Sequence, residues 1–133
     1  MRWHDPGVQH VEMTNFSFQK IDRIRKKSEF KELYNRGKRI KGDAFIVCYL
    51  PNTLQRSRLG MSVSRKVGCA VIRNRIKRIA REVFRLQRSR FFQKGSWDIH
   101  LIARNTASRL STPELVERLV FMLNQLESRK HSF

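Results

Sequence analysis

The feature that most constrains this chain is a segment from residue 71 to about residue 88 with two chemically opposite faces. Along one face, apolar side chains recur at the 3.6-residue spacing of an α-helix. This apolar stripe consists of Ile72, Ile76, Ile79, Ala80, Val83 and Leu86. An amphipathic helix needs an apolar surface to cover such a stripe, so the spacing predicts a long helix packed on a sheet.

The opposite face of this predicted helix is almost entirely basic. Only Glu82 dilutes its charge, whereas solvated helix faces usually mix charges of both signs. Most of the cations are arginines, whose planar guanidinium suits bidentate contacts with phosphates. Arg65 and Lys66 extend the surface upstream, and the face itself carries Arg73, Asn74, Lys77, Arg78, Arg81, Arg85 and Arg88. The pattern predicts a helix that binds nucleic acid.

The charge of the whole chain agrees with a polyanionic partner. The 133 residues include 29 Lys and Arg against 11 Asp and Glu, which gives a formal net charge of +18. Repulsion between so many like charges disfavours the compact state unless a polyanion is bound. The hydrophobic fraction of 40% is still sufficient for a modest core, so we expect one folded domain.

The ends of the chain are predicted to lie outside that domain. Residues 1–20 show neither a helical nor an alternating period and are predicted to form a flexible N-terminal extension, and residues 129–133 a C-terminal tail. Met1 and Met13 both stay open as the natural start. No stretch of about 18 apolar residues and no secretory signal is visible, so we expect a cytoplasmic protein without membrane contact.

The remaining patterns predict an α+β domain with the order helix, strand, strand, helix, strand, helix. Ser28 precedes a first helix over about 29–36, and Gly37 stands where a left-handed cap usually falls. Short apolar or alternating runs predict strands over 44–50, 58–64 and 97–103. Ser111 to Glu114 carry the start signals of a final helix. Its predicted core face is Val116, Leu119, Val120, Leu123 and Leu126.

Aromatic side chains before the long helix could serve as stacking planes. Phe30 and Tyr34 share one face of the first predicted helix, and unpaired bases stack on such rings. For these two residues, base stacking and core packing are both open interpretations. Phe45 and Tyr49 are expected in the core, because a short apolar strand must bury at least one of its faces.

The sequence offers no protein active site for nucleic-acid hydrolysis. Its carboxylates are scattered over different predicted elements, whereas a two-metal nuclease needs them clustered. His100 is the only histidine within the predicted domain, and a structural role is favoured because no partner is evident. Cys48 and Cys69 lack zinc-site spacing and are interpreted as reduced core or cleft residues.

Three stretches resemble the bacterial ribonuclease P protein family. Residues 73–78, with the sequence Arg-Asn-Arg-Ile-Lys-Arg and continuing to Arg81, resemble the signature helix of that family. Residues 58–68 resemble the strand and turn that precede this helix, and residues 23–37 resemble its opening segment. The resemblance covers about residues 21–127.

The resemblance implies a single RNA-binding domain over residues 21–128 that joins a catalytic RNA. The expected fold is a small mixed sheet packed with three helices and containing a left-handed βαβ crossover. The expected partners are ribonuclease P RNA, with one protein per RNA, and precursor tRNA, whose 5′ leader is removed. Magnesium ions would be held mainly by the RNA, and no protein residue would be catalytic.

The resemblance also implies two sets of binding residues. The 5′ leader would be held in a cleft between the first helix, the sheet and the signature helix. The leader-binding residues would be Phe30, Tyr34, Ser62, Ser64, Arg73 and Asn74. The wider RNA-binding set would be Arg65, Lys66, Arg73, Asn74, Arg75, Lys77, Arg78, Arg81 and Arg85.

Three other interpretations compete with this one. A ribosomal or RNA-chaperone protein could carry a similar arginine face, and composition alone does not separate the two. A helix-turn-helix DNA-binding protein is disfavoured, because the segment before the long helix is strand-like rather than helical. An independent protein nuclease would cut precursor tRNA without added RNA.

Overall fold

A four-stranded mixed sheet determines where each helix of the domain lies. The computed structural model describes residues 22–54, 56–91 and 95–128, without the side chains of 88–91. The predicted extension over 1–20, the predicted tail over 129–133 and the side chain of Arg88 therefore lie outside the described residues. The helices are α1 (Lys27–Arg36), α2 (Ala70–Phe91) and α3 (Thr112–Ser128), and the strands are β1 (Lys38–Lys41), β2 (Phe45–Pro51), β3 (Arg58–Ser62) and β4 (Trp97–Ala103).

The strands are arranged in the order β1-β2-β4-β3. The β1–β2 and β2–β4 pairs are antiparallel, whereas β3 and β4 are parallel and are joined through α2. The predicted α+β class, with three helices on a small mixed sheet, is confirmed. The handedness of the β3–α2–β4 crossover stays a prediction.

One face of the sheet forms the core with α2 and α3. The strict alternation of burial along β4 places Trp97, Ile99, Leu101 and Ala103 on this face. Tyr49 lies beside Trp97, with ring centroids 5.6 Å apart, which confirms its expected place in the core together with buried Phe45. The predicted helix stripes also lie here, except for Leu86, which is half-buried and lies outside the core cluster. Three buried side chains that the sequence patterns did not include complete them, namely Phe84, Leu115 and Met122.

The first helix, α1, lies on the opposite face of the sheet. Its Phe30 packs edge-on against His100 of β4, with ring centroids 4.7 Å apart. A Cβ atom on Gly60 of β3 would lie 2.5 Å from the Phe30 ring, so the ring rests directly on the strand backbone. Glu29 of α1 also accepts a hydrogen bond from Arg58 of β3 at 2.9 Å. The helix backbone lies nearest to β2 and β4, and these side-chain contacts tie α1 to β3 and β4.

Two details at the ends of α1 differ from prediction. Ser28 lies inside the helix, and the N-cap is Lys26, whose side chain makes no capping hydrogen bond. Gly37 has φ −75° and ψ 162°, so it is extended rather than left-handed. A glycine is needed there because a Cβ atom would lie 2.5 Å from the Leu33 carbonyl oxygen and 2.9 Å from that of Tyr49. The close approach of two backbone carbonyl groups, rather than a left-handed helix cap, explains why residue 37 is a glycine.

Strand β1 was not predicted, and the start of α3 was. Three of the four β1 residues are cationic and only Ile40 is buried, so too few apolar positions alternate to mark a strand.

At the start of α3, the Ser111 N–H donates to Glu114 Oε1 at 2.9 Å, and the Glu114 N–H donates to Ser111 Oγ at 3.3 Å. This capping box confirms the predicted start signals. Among the described residues, no helix has the length and apolar character needed to cross a membrane.

We predict that Gly37→Ala lowers the free energy of unfolding by about 1 to 3 kcal/mol, because the added methyl group collides with two backbone carbonyls that cannot move independently. The matched control is Gly95→Ala, whose new Cβ atom would have Trp97 Nε1 at 3.8 Å as its nearest neighbour. That control should stay within about 0.5 kcal/mol of the parent protein. Urea unfolding followed by circular dichroism measures both, and equal stability of the two variants would contradict the close approach at Gly37.

Candidate nucleic-acid interface

The basic face of α2 contains cations that the protein itself leaves unpaired. Ile76, Ile79 and Ala80 are buried, and Asn74 and Arg78 are exposed on the other side of the helix. Arg65 and Lys66 are exposed in the turn before α2. Within the described ranges, no hydrogen bond or ion pair involves the side chains of these four exposed residues. They are available to an external anion.

Two other predicted RNA-binding arginines, Arg73 and Arg75, make contacts with other parts of the protein. Arg73 Nε donates to the Gly68 carbonyl oxygen at 3.1 Å, which fixes the side chain at the start of α2. Arg75 Nη2 donates to the Leu110 carbonyl oxygen and to Thr112 Oγ1, both at 3.2 Å. Arg75 therefore braces α2 against the start of α3.

Arg85 is paired on its own helix. Its Nε and Nη2 atoms donate to the two carboxylate oxygens of Glu82 at 2.8 and 2.9 Å. These hydrogen bonds raise the pKa of Arg85. Because Glu82 neutralises its charge, Arg85 contributes less than Arg78 to the positive field of α2.

A depression beside the outer edge of β3, where Arg23 pairs with Leu59 in a single β-bridge, concentrates further positive charge. Arg23 and Arg25 line it together with Lys77 and Arg81 of α2. Arg81 Nε is buried and has no hydrogen-bond partner within the described ranges. Burial lowers the pKa of Arg81, and the charge of Arg23 lowers it further. This arrangement suits an anionic ligand, which would offset the repulsion and supply an acceptor.

The second part of the candidate interface is the surface formed by α1 and the part of the sheet face that α1 leaves uncovered, which we call the cleft. Tyr34 is 66% exposed, and the Arg39 guanidinium carbon lies 4.5 Å from its ring centroid. Arg39 Nη2 also donates to the Tyr34 carbonyl oxygen at 3.2 Å. On the floor of the cleft, Ser62 Oγ lies 2.8 Å from His100 Nε2. The cleft therefore combines an exposed aromatic ring, a cationic rim and hydrogen-bonding groups.

The structure brings only some of the predicted leader-binding residues into mutual contact. Phe30 and Ser62 meet through His100, and Tyr34 lies one helical turn beyond Phe30. Ser64 is exposed just past β3, in the turn that leads to α2. In the described part of the chain, no hydrogen bond or ring contact joins Arg73 or Asn74 to these residues, so a ligand spanning both groups would have to bridge them.

Sequence reasoning missed the cationic rim and the polar floor of the cleft. Arg39 and Lys41 belong to β1, and the run of cations between Gly37 and Gly42 was the one signal that pointed to them. The Ser62–His100 hydrogen bond joins residues 38 positions apart in the sequence, and no local pattern reports such a contact. Both features line the surface that the sequence analysis had assigned to aromatic residues.

The carboxylates of the domain mostly serve as partners of arginines. Arg58 donates to both oxygens of Asp98, at 2.9 and 2.7 Å, and these bonds raise its pKa. Asp43 accepts from Arg118, and Asp22 from Arg56. Across the described residues, no group of three or more His, Cys, Asp or Glu side chains could hold a metal ion.

Comparison with known proteins identifies the family. The sequence model of the ribonuclease P family matches residues 18–127. The ribonuclease P protein component of Desulfosudis oleivorans is 42% identical over 113 residues, which cover 85% of this chain and 92% of the relative. The chain belongs to the ribonuclease P protein family. It is therefore the protein component of a tRNA-processing ribonuclease, and its partner is ribonuclease P RNA.

Solved ribonuclease P proteins share the fold. The Staphylococcus aureus protein superposes with a TM-score of 0.74 at 35% identity, covering 79% of this chain and 94% of that one. The Thermotoga maritima protein gives a TM-score of 0.68 at 34% identity, covering 77% of this chain and 96% of that one. The family assignment made from residues 58–68 and 73–81 is confirmed.

We predict that Arg78→Ala reduces the salt dependence of binding to ribonuclease P RNA. Each lost phosphate contact should lower the slope of log affinity against log salt by about 0.7 to 0.9. The matched control on the same helix is the double variant Arg85→Ala with Glu82→Ala, which removes a neutral ion pair and leaves the net charge of the helix unchanged. Filter binding over a salt series measures both slopes. Equal slope changes for the two variants would show that intramolecular pairing does not decide which cations bind RNA.

Proposed function

We propose that this ribonuclease P protein uses two adjoining surfaces for two parts of its RNA complex. The basic face of α2 binds the catalytic RNA, and the cleft between α1, the sheet and the start of α2 holds the 5′ leader of precursor tRNA. Unpaired cations such as Arg78 lie on α2, and α2 is the element that follows β3 in the chain. Strand β3 carries Ser62 on the floor of the cleft, so the two surfaces adjoin, and this observation carries the proposal. One RNA assembly could therefore occupy both surfaces.

The cleft has the chemistry expected for a single strand rather than a duplex. Tyr34 offers an exposed ring on which an unpaired base can stack, whereas bases in a duplex are already stacked on each other. Arg39 and Lys41 on β1 stand at the rim, where they can meet phosphates of the same strand. We infer that stacking and phosphate contacts together hold the leader with little sequence preference.

In this proposal the protein binds and orients, and the RNA carries out hydrolysis. The carboxylates nearest to the cleft, Glu29 and Asp98, are both hydrogen bonded to Arg58. Magnesium ions would then be held mainly by the RNA, whose phosphates are suitable oxygen ligands. We further propose one protein per RNA, since a net charge of +18 makes two copies repel each other. The site of action would be the cytoplasm, where precursor tRNA is processed.

We predict that Tyr34→Ala weakens binding of precursor tRNA to the assembled RNA–protein complex by roughly fivefold to a hundredfold, the loss of one base–aromatic stack. Binding of mature tRNA, which lacks a leader, should change less than twofold. Alanine favours helices, so α1 should persist. Equilibrium binding with both tRNAs measures the difference.

The matched control for this prediction is Phe121→Ala. Phe121 is also an aromatic residue on a helix and is 59% exposed, but it lies on α3, which packs on the other face of the sheet. Phe121 shares a depression with Lys41, but its substitution removes no stacking ring from the cleft, so it should weaken precursor binding much less than Tyr34→Ala does. If Tyr34→Ala weakens precursor and mature tRNA equally, the leader does not lie on Tyr34.

A further inference from the structure

A polar pair, Ser62 and His100, stands in an otherwise apolar part of the cleft floor. His100 lies at the centre of β4, opposite buried Cys48 of β2 and beside Gly60 of β3. Its ring contacts Phe30, and Ile102 lies next along the same face. Ser62 is exposed at the end of β3. The hydrogen bond between Ser62 Oγ and His100 Nε2 thus lies at the boundary between the part of the floor under α1 and the open part.

The environment of His100 favours the neutral form of its imidazole. Burial disfavours the charged form and lowers the pKa of this histidine. A neutral imidazole carries one nitrogen that donates and one that accepts. The Ser62 hydroxyl can donate to Nε2 or accept from it, so the hydrogen bond at 2.8 Å is compatible with both tautomers.

The second nitrogen of the ring, Nδ1, has no partner in the part of the chain that the structure describes. The one side-chain polar atom found both buried and unpaired in that part is Arg81 Nε. His100 Nδ1 is therefore unpaired and keeps some exposed surface, and His100 lies on the sheet face opposite the core. An accessible nitrogen in an apolar surface is a suitable place for a ligand hydrogen bond, because water competes less strongly there.

Together, the two side chains present one donor and one acceptor to the cleft. If the Ser62 hydroxyl donates to Nε2, then Nδ1–H is the free donor and Ser62 Oγ can accept. If Nε2–H donates to Ser62, then Nδ1 accepts and the hydroxyl donates. The polar edges of unpaired nucleobases carry donors and acceptors side by side, and proteins read single strands through these edges.

We propose that His100, oriented by Ser62, hydrogen bonds through Nδ1 to the edge of one nucleobase of the 5′ leader. This inference rests on the proposed leader cleft and adds to it a specific contact. Phe30, whose ring meets His100, forms the adjacent apolar wall. Because the tautomer can change, the pair can bind more than one base type, and it marks one leader position rather than one base identity.

Three substitutions separate this role from a purely structural one. His100→Asn keeps a polar atom near the position of Nδ1 and loses the bond to Ser62. His100→Gln keeps a polar atom near the position of Nε2, which can still meet Ser62, and loses the group at Nδ1. His100→Leu fills similar space against Phe30 and removes both polar atoms. Circular dichroism and unfolding midpoints report whether each variant folds.

The experiment is equilibrium binding of precursor tRNAs in which one leader nucleotide at a time is abasic, using the complete RNA–protein complex. With an intact leader, His100→Gln and His100→Leu should bind roughly threefold to tenfold more weakly than the parent protein, the worth of one hydrogen bond. His100→Asn should stay within about twofold. When the leader is abasic at one particular position, these variants and the parent protein should bind equally well, because the base that Nδ1 contacts is absent.

Several results would overturn the inference. If His100→Asn binds weakly while His100→Gln is normal, only the bond to Ser62 matters and the role is structural. A loss of the same size at every abasic position, or no loss in any folded variant, would also exclude an Nδ1–base contact. The parent protein tests the underlying cleft separately. If it binds precursor and mature tRNA equally well, the leader site itself is wrong, whatever the His100 variants do.

Discussion

The burial of one face of α2 against the sheet is the interaction on which the rest of the structure depends. Ile76, Ile79, Ala80 and Val83 fill the core, and their burial fixes the rotation of the helix about its axis. The same rotation exposes Arg78 to solvent and places Lys77 and Arg81 at the depression beside β3, so like charges on this face repel each other. Apolar burial therefore offsets the cost of concentrating cations, and a polyanion bound to the opposite face would reduce that cost further.

The open cleft exists because the sheet is covered unequally on its two faces. Two helices cover the core face, whereas α1 alone lies on the other. Arg58 ties α1 to the sheet by bonding both Glu29 and Asp98, and Phe30 rests on the bare backbone at Gly60. Ion pairs at partly buried positions contribute more to orientation than to net stability. The remainder of that face stays accessible between the cationic strand β1 and the turn that precedes α2.

Sequence patterns predicted the elements that are encoded locally and missed those that depend on distant contacts. The strand over 97–103 and the long helix were predicted because each has its apolar residues within one segment, in a short run for the strand and at a 3.6-residue spacing for the helix. The β1 strand is too short and too polar for such a signal, and Gly37 was misread because its steric partner Tyr49 belongs to another strand. Likewise, the helical spacing placed Arg85 among the binding cations, although Glu82 neutralises it. The hydrogen bond between His100 and Ser62 is visible only in the structure.

We propose that this protein contributes binding surfaces while its RNA partner carries out hydrolysis. The most direct measurement is cleavage of precursor tRNA at low magnesium concentration by a bacterial ribonuclease P RNA, with and without the protein. We predict strong stimulation by the protein and no cleavage when the RNA is omitted. Cleavage by the protein alone would contradict the claim, as would an absence of stimulation when the protein is folded and the RNA is active at higher magnesium.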